Sequence, residues 1–213
     1  MYRGLHGCAD RLPYSTGRDA AAIANTAASL NRMKLWRRLL GGREPLPPDV
    51  AAWRRDWTKA AAQSPLTTDV VERLRLRLDQ LSSSDDFEIE LEMLDALERA
   101  AALHACLAER GLPVVETGHR VVGTDTCHFL APASIPDDPA QPSGRLLLTN
   151  ARIIFAGGAR TVTAPWHAMT RPTQTERDLV LVRVDASAIH RFRLNSYGDA
   201  LCAAIIARDL VRR

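Results

Sequence analysis

The stretch from Gly144 to Trp166, GRLLLTNARIIFAGGARTVTAPW, constrains the fold more than any other part of the chain. Apolar runs at Arg145–Leu148, Arg152–Ala156 and Arg160–Ala164 are separated by Thr149-Asn150 and by Gly157-Gly158. Short apolar runs bounded by turn-forming residues read as strands, and connections this short make successive strands antiparallel neighbours. Asn tolerates the left-handed conformation better than other non-glycine residues, so Asn150 is expected at positive φ in the first turn. Leu147 and Ile153 are expected to face inward on either side of it.

The texture of the chain changes near Gly111. Upstream, the patterns are helical. Asp19–Leu40 is Ala-rich and stops at Gly41-Gly42, and Pro45, Pro47 and Pro48 keep the following chain extended. A second helix runs from about Pro48 through Ala62, with proline tolerated in its first turn. A third begins at Thr67 or Thr68, with Val70, Val71, Leu74, Leu78 and Leu81 at helical spacing. Within it, RLRLRLDQL alternates with the period of a strand. Arginine and leucine are good helix formers, no β-branched residue interrupts the run, and its neighbours are helical, so helix is expected. After the turn at SSSDD a fourth helix spans about Asp85–Arg110, ended by Gly111 and Pro113. The third and fourth helices are expected to form an antiparallel hairpin at about 67–110.

Downstream the signals are β. Val114-Val115, Val121-Val122 and TCHFLAPASI come first, followed by a loop rich in Pro, Asp and Gly at Pro136–Gly144. Beyond the opening meander, strands are expected at Thr170–Gln174, Leu179–Val184 and His190–Leu194. A final helix over about Tyr197–Arg213 carries Leu201, Ile205, Ile206 and Leu210 on a broad apolar face. The fold class is therefore α+β: a helical region, 1–112, of about four helices, and a domain at 113–213 of six or seven strands closed by a helix.

Within that frame GRLLLTNARIIFAGG resembles the G-x-L-x-L-T-x-x-R-L-x-F-x-G hairpin of the PH-like superfold, in its GRAM and bacterial PH-domain branches. TVTAPWHAM, DLVLVRV, HRFRL and SYGDALCAAIIARDL follow in the order of that superfold's later strands and capping helix. The resemblance covers about Glu116–Arg213, the C-terminal half only. It implies a bent antiparallel sandwich or barrel whose open end is plugged by the helix. Lipid-binding members hold inositol phosphates with basic residues around the first hairpin loop. Here that loop reads ASIPDDPAQPSG, with Asp137 and Asp138 and no basic residue before Arg145, and carboxylates at its mouth repel phosphate. The resemblance thus points to the protein-interaction or assembly role that GRAM and bacterial PH domains serve.

Charge is unevenly spread beneath a net of +3: Met1–Ser64 carries 11 Lys/Arg against 5 Asp/Glu, Pro65–Leu112 carries 5 against 11, and Pro113–Arg213 carries 12 against 9. The basic head and the acidic middle are expected to solvate or pair with one another. Within the head, NRMKLWRRLL places Arg32, Lys34, Arg37 and Arg38 around an apolar side with Trp36, the pattern of an interfacial membrane helix. Any surface helix of a globular protein is amphipathic too. Trp36 packed on the protein's own core is therefore the favoured reading, and attachment to an anionic membrane is the alternative. Trp53 and Trp57, one turn apart, are expected in the core rather than as a base-stacking platform. With no nucleic-acid reader pattern and a modest net charge, nucleic-acid binding is not expected.

Catalytic signatures are missing from the sequence. The six histidines form no HxxxH, HExxH or HxH pattern, and no GxSxG, GxxxxGK[ST] or GxGxxG is present. Cys127 and His128 are adjacent, and neighbours on a strand point to opposite faces. The four cysteines have no CxxC spacing, so neither a zinc site nor a disulfide framework is expected. No cofactor or metal is expected, and catalytic, cofactor and metal residues are assigned to none. No run reaches the roughly 18–20 apolar residues of a membrane span, and a cytoplasmic location is expected. These readings converge on a non-enzymatic binding or scaffolding protein, an adaptor that contacts another protein or itself. Its candidate contact residues are Arg32, Lys34, Trp36, Arg37 and Arg38.

Overall fold

The computed structural model of the protein describes residues 46–81, 87–158 and 160–213. The expected first helix and all five candidate contact residues, Arg32 to Arg38, lie outside the described residues. Residues Pro48–Arg213 form one compact unit.

Helix α1 (Pro48–Ala61) starts on a proline and carries Asp49 in its first turn, where a carboxylate complements the helix dipole. Val50, Trp53, Trp57, Ala60 and Ala61 are buried along one side. The two tryptophans are core residues, as expected. The Trp53 indole donates to the Leu74 carbonyl at 2.9 Å, and that of Trp57 donates to the Met93 carbonyl. Helix α2 (Thr68–Asp79) buries Val71, Leu74 and Leu78 and leaves Leu76 60% exposed. The alternating leucines of RLRLRL are therefore split between core and solvent by the helical period. Helix α3 (Glu88–Arg110) buries Met93, Leu94, Leu97, Ala100 and Ala101 against the other two helices. The charge asymmetry is partly resolved here, with Arg54 pairing with the buried Glu90 at 2.6 Å.

The β half is a seven-stranded antiparallel sheet: β1 (Cys127–Ser134), β2 (Ser143–Thr149), β3 (Arg152–Gly157), β4 (Thr161–Pro165), β5 (Thr173–Thr175), β6 (Asp178–Val182) and β7 (Ile189–Leu194). The strand order is β4-β3-β2-β1-β7-β6-β5. Helix α4 (Tyr197–Arg212) follows, capped by the Ser196 hydroxyl, which accepts from the Asp199 amide at 3.0 Å.

Four sequence expectations are corrected. Val114-Val115 and Val121-Val122 form no strands. That segment is irregular save for a 3₁₀ turn at Arg120–Val122, and Val115 donates a single amide bond to the Cys127 carbonyl. Val122 instead packs with Cys127, Leu147 and Ile154, covering the outer face of the β2–β3 hairpin. This explains the second correction. Leu147 and Ile153 are both buried, but on opposite faces, because the register pairs Leu148 with Ile153 and Leu147 with Ile154. The inner face carries Leu146, Leu148, Ile153 and Phe155.

The third correction concerns the turn. Among the described residues, the left-handed non-glycine residues are Gln141, Glu176 and Ala186, and Asn150 is not one of them. The buried Thr149 hydroxyl closes the turn instead, accepting from the amides of Ala151 and Arg152 at 3.3 and 3.0 Å. Asn150 reaches outward, its side-chain oxygen accepting from the Thr126 amide at 3.0 Å. The fourth correction is to the plugging helix. Ala200, Ala203, Ala204, Ile206, Ala207 and Leu210 do pack into the sandwich. Leu201 and Ile205, on the other side, belong to the core of the three upstream helices. Helix α4 is thus shared between two cores.

Candidate binding surface at the loop end of the sheet

Strand register places the β1–β2 loop (Ile135–Pro142), the β3–β4 turn and the β6–β7 hairpin turn (Arg183–Ala188) at one end of the sheet. They surround an open cleft of about 260 Å³ lined by Ile135, Asp138, Arg160, Ile189, His190 and Arg191, among others. Each part has a local cause. Gln141 takes φ 41° and closes the first loop with its amide bonded to the Asp138 carbonyl at 2.8 Å. Asp138 in turn accepts the Ala140 amide at 2.9 Å. In the β6–β7 turn Ala186 takes φ 54°, and Asp185 accepts from the Ser187 hydroxyl at 2.6 Å and its amide at 3.0 Å. Those bonds, with Arg183, hold the Asp185 carboxyl far below the usual carboxylate range.

The guanidinium groups that line this cleft are already engaged by carboxylates. Arg160 pairs with Asp138, and Arg191 reaches Asp137 at 3.4 Å and Asp178 at 2.5 Å. Arg193 also binds Asp178, at 2.8 Å. Burial pushes the Asp178 carboxyl up, but the hydrogen bonds and charges of Arg193 and Arg191 outweigh it and leave it below its ordinary value. His190 lies flat on Phe192, with ring centroids 6.3 Å apart. Burial, and then the charges of Arg183 and Arg160, disfavour its protonation. Beside this closed network, Val184 and Ile189 flank the hairpin turn and are 67% and 66% exposed. Neither carries a sequence signal other than being apolar next to a turn.

The two acidic residues singled out in the sequence, Asp137 and Asp138, do stand at the cleft. Their partners Arg160 and Arg191 come from the residue before β4 and from β7, and no local pattern could have revealed the match. The adjacent Cys127 and His128 do not contact each other: a bulge interrupts β1 there, the Cys127 thiol donates to the Phe129 carbonyl, and His128 Nδ1 donates to the Pro113 carbonyl at 2.7 Å. Cys106, Cys127 and Cys202 are free thiols. Among the described residues, no group of three or more His, Cys, Asp or Glu is placed to hold a metal ion, and no helix is long and apolar enough to cross a membrane.

A seven-stranded antiparallel sheet followed by a packed C-terminal helix is the arrangement that the resemblance of the GRLLLTNARIIFAGG stretch implies. No protein-family model matches the sequence, and no curated protein matches it. Solved structures align with parts of the chain. The C-terminal domain of an unknown protein from Leishmania infantum aligns at 10% identity and TM-score 0.35 over 41% of this chain and 87% of its own. The DH/PH domains of p115-RhoGEF align at 9% identity and TM-score 0.35 over 75% of this chain and 54% of theirs. Those of PDZ-RhoGEF, in complex with activated RhoA, align at 10% identity and TM-score 0.35 over 91% and 64%. The chain thus spans less than two thirds of either DH/PH structure, and likeness at this level carries no inference about activity or partner.

Proposed function

We propose that the protein is a non-enzymatic binding or scaffolding module of the GRAM or bacterial PH-domain branch, which contacts another protein or a second copy of itself through the loop end of its sheet. The observation that carries this reading is the pairing of Arg160 and Arg191 with Asp138 and Asp137, next to exposed Val184 and Ile189. A polyphosphate headgroup needs free cations, and the two arginines lining this cleft are neutralised. Exposed apolar side chains ringed by satisfied polar groups suit a protein surface instead. The domain boundary at 112/113 belongs to the same reading, with 1–112 as the helical region and 113–213 as the module.

The alternative is attachment to an anionic membrane through Arg32, Lys34, Trp36, Arg37 and Arg38, which is favoured by the sequence pattern of that stretch. A concentration series in the analytical ultracentrifuge, with the full chain and its Val184→Asp/Ile189→Asp variant, tests the first reading for self-contact. Concentration-dependent association lost in the variant is the expected result. Flotation with acidic and neutral vesicles tests the second. Salt-sensitive flotation abolished by Trp36→Ala and Arg37→Gln, with both variants folded and the chain monomeric throughout, would replace the first reading with the second.

A further inference from the structure

The sheet ends in two edge strands, β4 and β5, and they are protected unequally. An edge strand offers a row of backbone N–H and C=O groups to any other strand, and proteins blunt such edges by shortening, charging, bulging or covering them. Strand β5 is three residues long and α4 packs against it, with the Arg208 Nε donating to the carbonyl of Pro172, just before the strand, at 3.3 Å. Strand β4 has no such device before its last residue, Pro165. It runs as Thr161-Val162-Thr163-Ala164-Pro165, in unbroken register with β3 and without a charged side chain. Its first three residues are β-branched, the type that favours a strand. Arg160, just before it, is held by Asp138.

The ladder to β3 fixes which backbone groups of β4 face outward. The Gly157 amide donates to the Arg160 carbonyl at 2.9 Å, and the Trp166 amide donates to the Ala151 carbonyl at 3.3 Å. In an antiparallel pair, hydrogen-bonded positions alternate with non-bonded ones. Counting inward from both ends, Val162 and Ala164 bond to β3, so the N–H and C=O groups of Thr161 and Thr163 point away from the sheet. Among the described residues, these outward groups have no hydrogen-bond partner. Thr161 and Thr163 are exposed on the outer face, while Val162 and Ala164 turn toward the inner core.

We propose that β4 is the pairing edge of a homodimer, lying antiparallel to β4 of a second copy with Thr161 of each opposite Thr163 of the other. Each Thr161 N–H then meets a Thr163 C=O and each Thr163 N–H a Thr161 C=O, so every outward group of both threonines is used. Pro165, which has no N–H to give, falls outside this ladder. The side chains favour the chain's own strand over a foreign one. Thr stands against Thr on the outer face, a favourable cross-strand pair, and Val162 stands against Val162 at the two-fold axis. Pairing of one edge with itself is isologous and closes at two copies. A ladder this short is a small contact beside the about 1,600 Å² of a standard interface, so the dimer is weak and concentration-dependent. Thr161 and Thr163 do not line the loop-end cleft, so the edge is separate from the surface assigned to partner contact.

The test is sedimentation velocity of the full chain over a concentration series, with charge placed on the edge. The parent rises from monomer to dimer and no further. Thr161→Lys/Thr163→Lys sets lysine opposite lysine and weakens association at least about tenfold, and Thr161→Glu/Thr163→Glu does the same. An equal mixture of the two variants associates again, because each lysine now faces a glutamate. Misfolded variants would not recover on mixing, so this arm separates pairing from damage to the fold. Thr163→Pro deletes one outward N–H and no bond to β3, and it too weakens the dimer. A parent that is monomeric at every concentration overturns the proposal and leaves the edge to a strand of another protein. A mixture of the charged variants that stays monomeric overturns it as well. Association untouched by the lysine variant but lost in Val184→Asp/Ile189→Asp assigns self-contact to the loop end and sinks the edge alone.

Discussion

Strand β2 has two ends, and they are built in opposite ways. At the Thr149 end the polar groups bond one another. The Thr149 hydroxyl donates to the Arg152 carbonyl at 2.9 Å while accepting two amides, the Trp166 indole donates to the Thr149 carbonyl at 2.7 Å, and Arg152 binds Asp125 at 2.9 Å. At the Ser143 end the chain opens into loops with a cleft, side chains paired at the surface, and exposed Val184 and Ile189. The first end holds the strands in register, and the second presents a surface. The sequence pattern that most resembles a known module therefore marks the frame, and the contact surface carries no pattern of its own.

The frame is the easiest part to break. Gly144 opens the GRLLLT pattern and sits opposite Gly157 in the β2–β3 ladder. A Cβ placed on it would lie 2.3 Å from the Ala156 carbonyl oxygen. The obstacle is backbone and cannot rotate away, so Gly144→Ala should cost about 3 kcal/mol, the upper end of the overpacking range. Urea denaturation reads this directly, and a midpoint equal to the parent's would show that the two strands are not so closely apposed.

The next largest effect belongs to Thr149. Thr149→Val keeps the shape and removes the acceptor for the Ala151 and Arg152 amides. Leaving buried donors unmatched should cost about 2 kcal/mol. Thr149→Ser retains the hydroxyl and should recover most of that. If both variants lose the same stability, the side-chain methyl rather than the hydroxyl holds the turn, and the contrast between the two ends weakens.

How much of this could be read from the sequence differs between these same places. The strands from Cys127 onward and the helices from Pro48 onward were legible because period and turn chemistry are local. RLRLRL needed an appeal to propensity, since its own alternation points the wrong way, and the exposure of Leu76 shows the helical period dividing it. The role of Thr149 was missed because Asn150 offered a more familiar way to make a turn. Both are consistent with TN between apolar runs, and only the burial of the hydroxyl decides between them. The two-sided use of α4 was half legible. Leu201 and Ile205 were visible as apolar, but which core they join depends on where α3 packs. The arginine partners of Asp137 and Asp138 arrive from the β3–β4 turn and from β7, separations that no local pattern encodes. The five residues from Arg32 to Arg38 stand as a sequence hypothesis.

A smaller effect depends on pH. Asp178 has a folded value below its ordinary one, so the stability it contributes is complete above the usual carboxylate range and is lost as pH falls through the folded value. His104 and His190 also titrate below their ordinary value of about 6.5. The unfolded chain therefore takes up their protons first, and stability begins to fall as pH drops through about 6.5. Acid unfolding should show an early loss from the histidines and a later one from Asp178. His190→Phe should remove part of the first, and Asp178→Asn should flatten the second while lowering stability at neutral pH. An acid limb unchanged in Asp178→Asn would mean that the Arg191 and Arg193 contacts are made only weakly in solution.

The smallest expected effect on stability is at the loop end itself. Val184 and Ile189 are about two-thirds exposed, so replacing either with Asp removes little burial and should stay within about 0.5 kcal/mol of the parent, as surface changes do. The same substitutions should nevertheless abolish partner contact, because a carboxylate desolvated in an interface without a counter-charge is strongly unfavourable. Near-parental melting combined with lost association is the signature of a contact surface, the inverse of the outcome expected at Gly144 and Thr149. A double variant that melts well below the parent would show instead that the hairpin is pinned by these side chains, and would return the loop end to the frame.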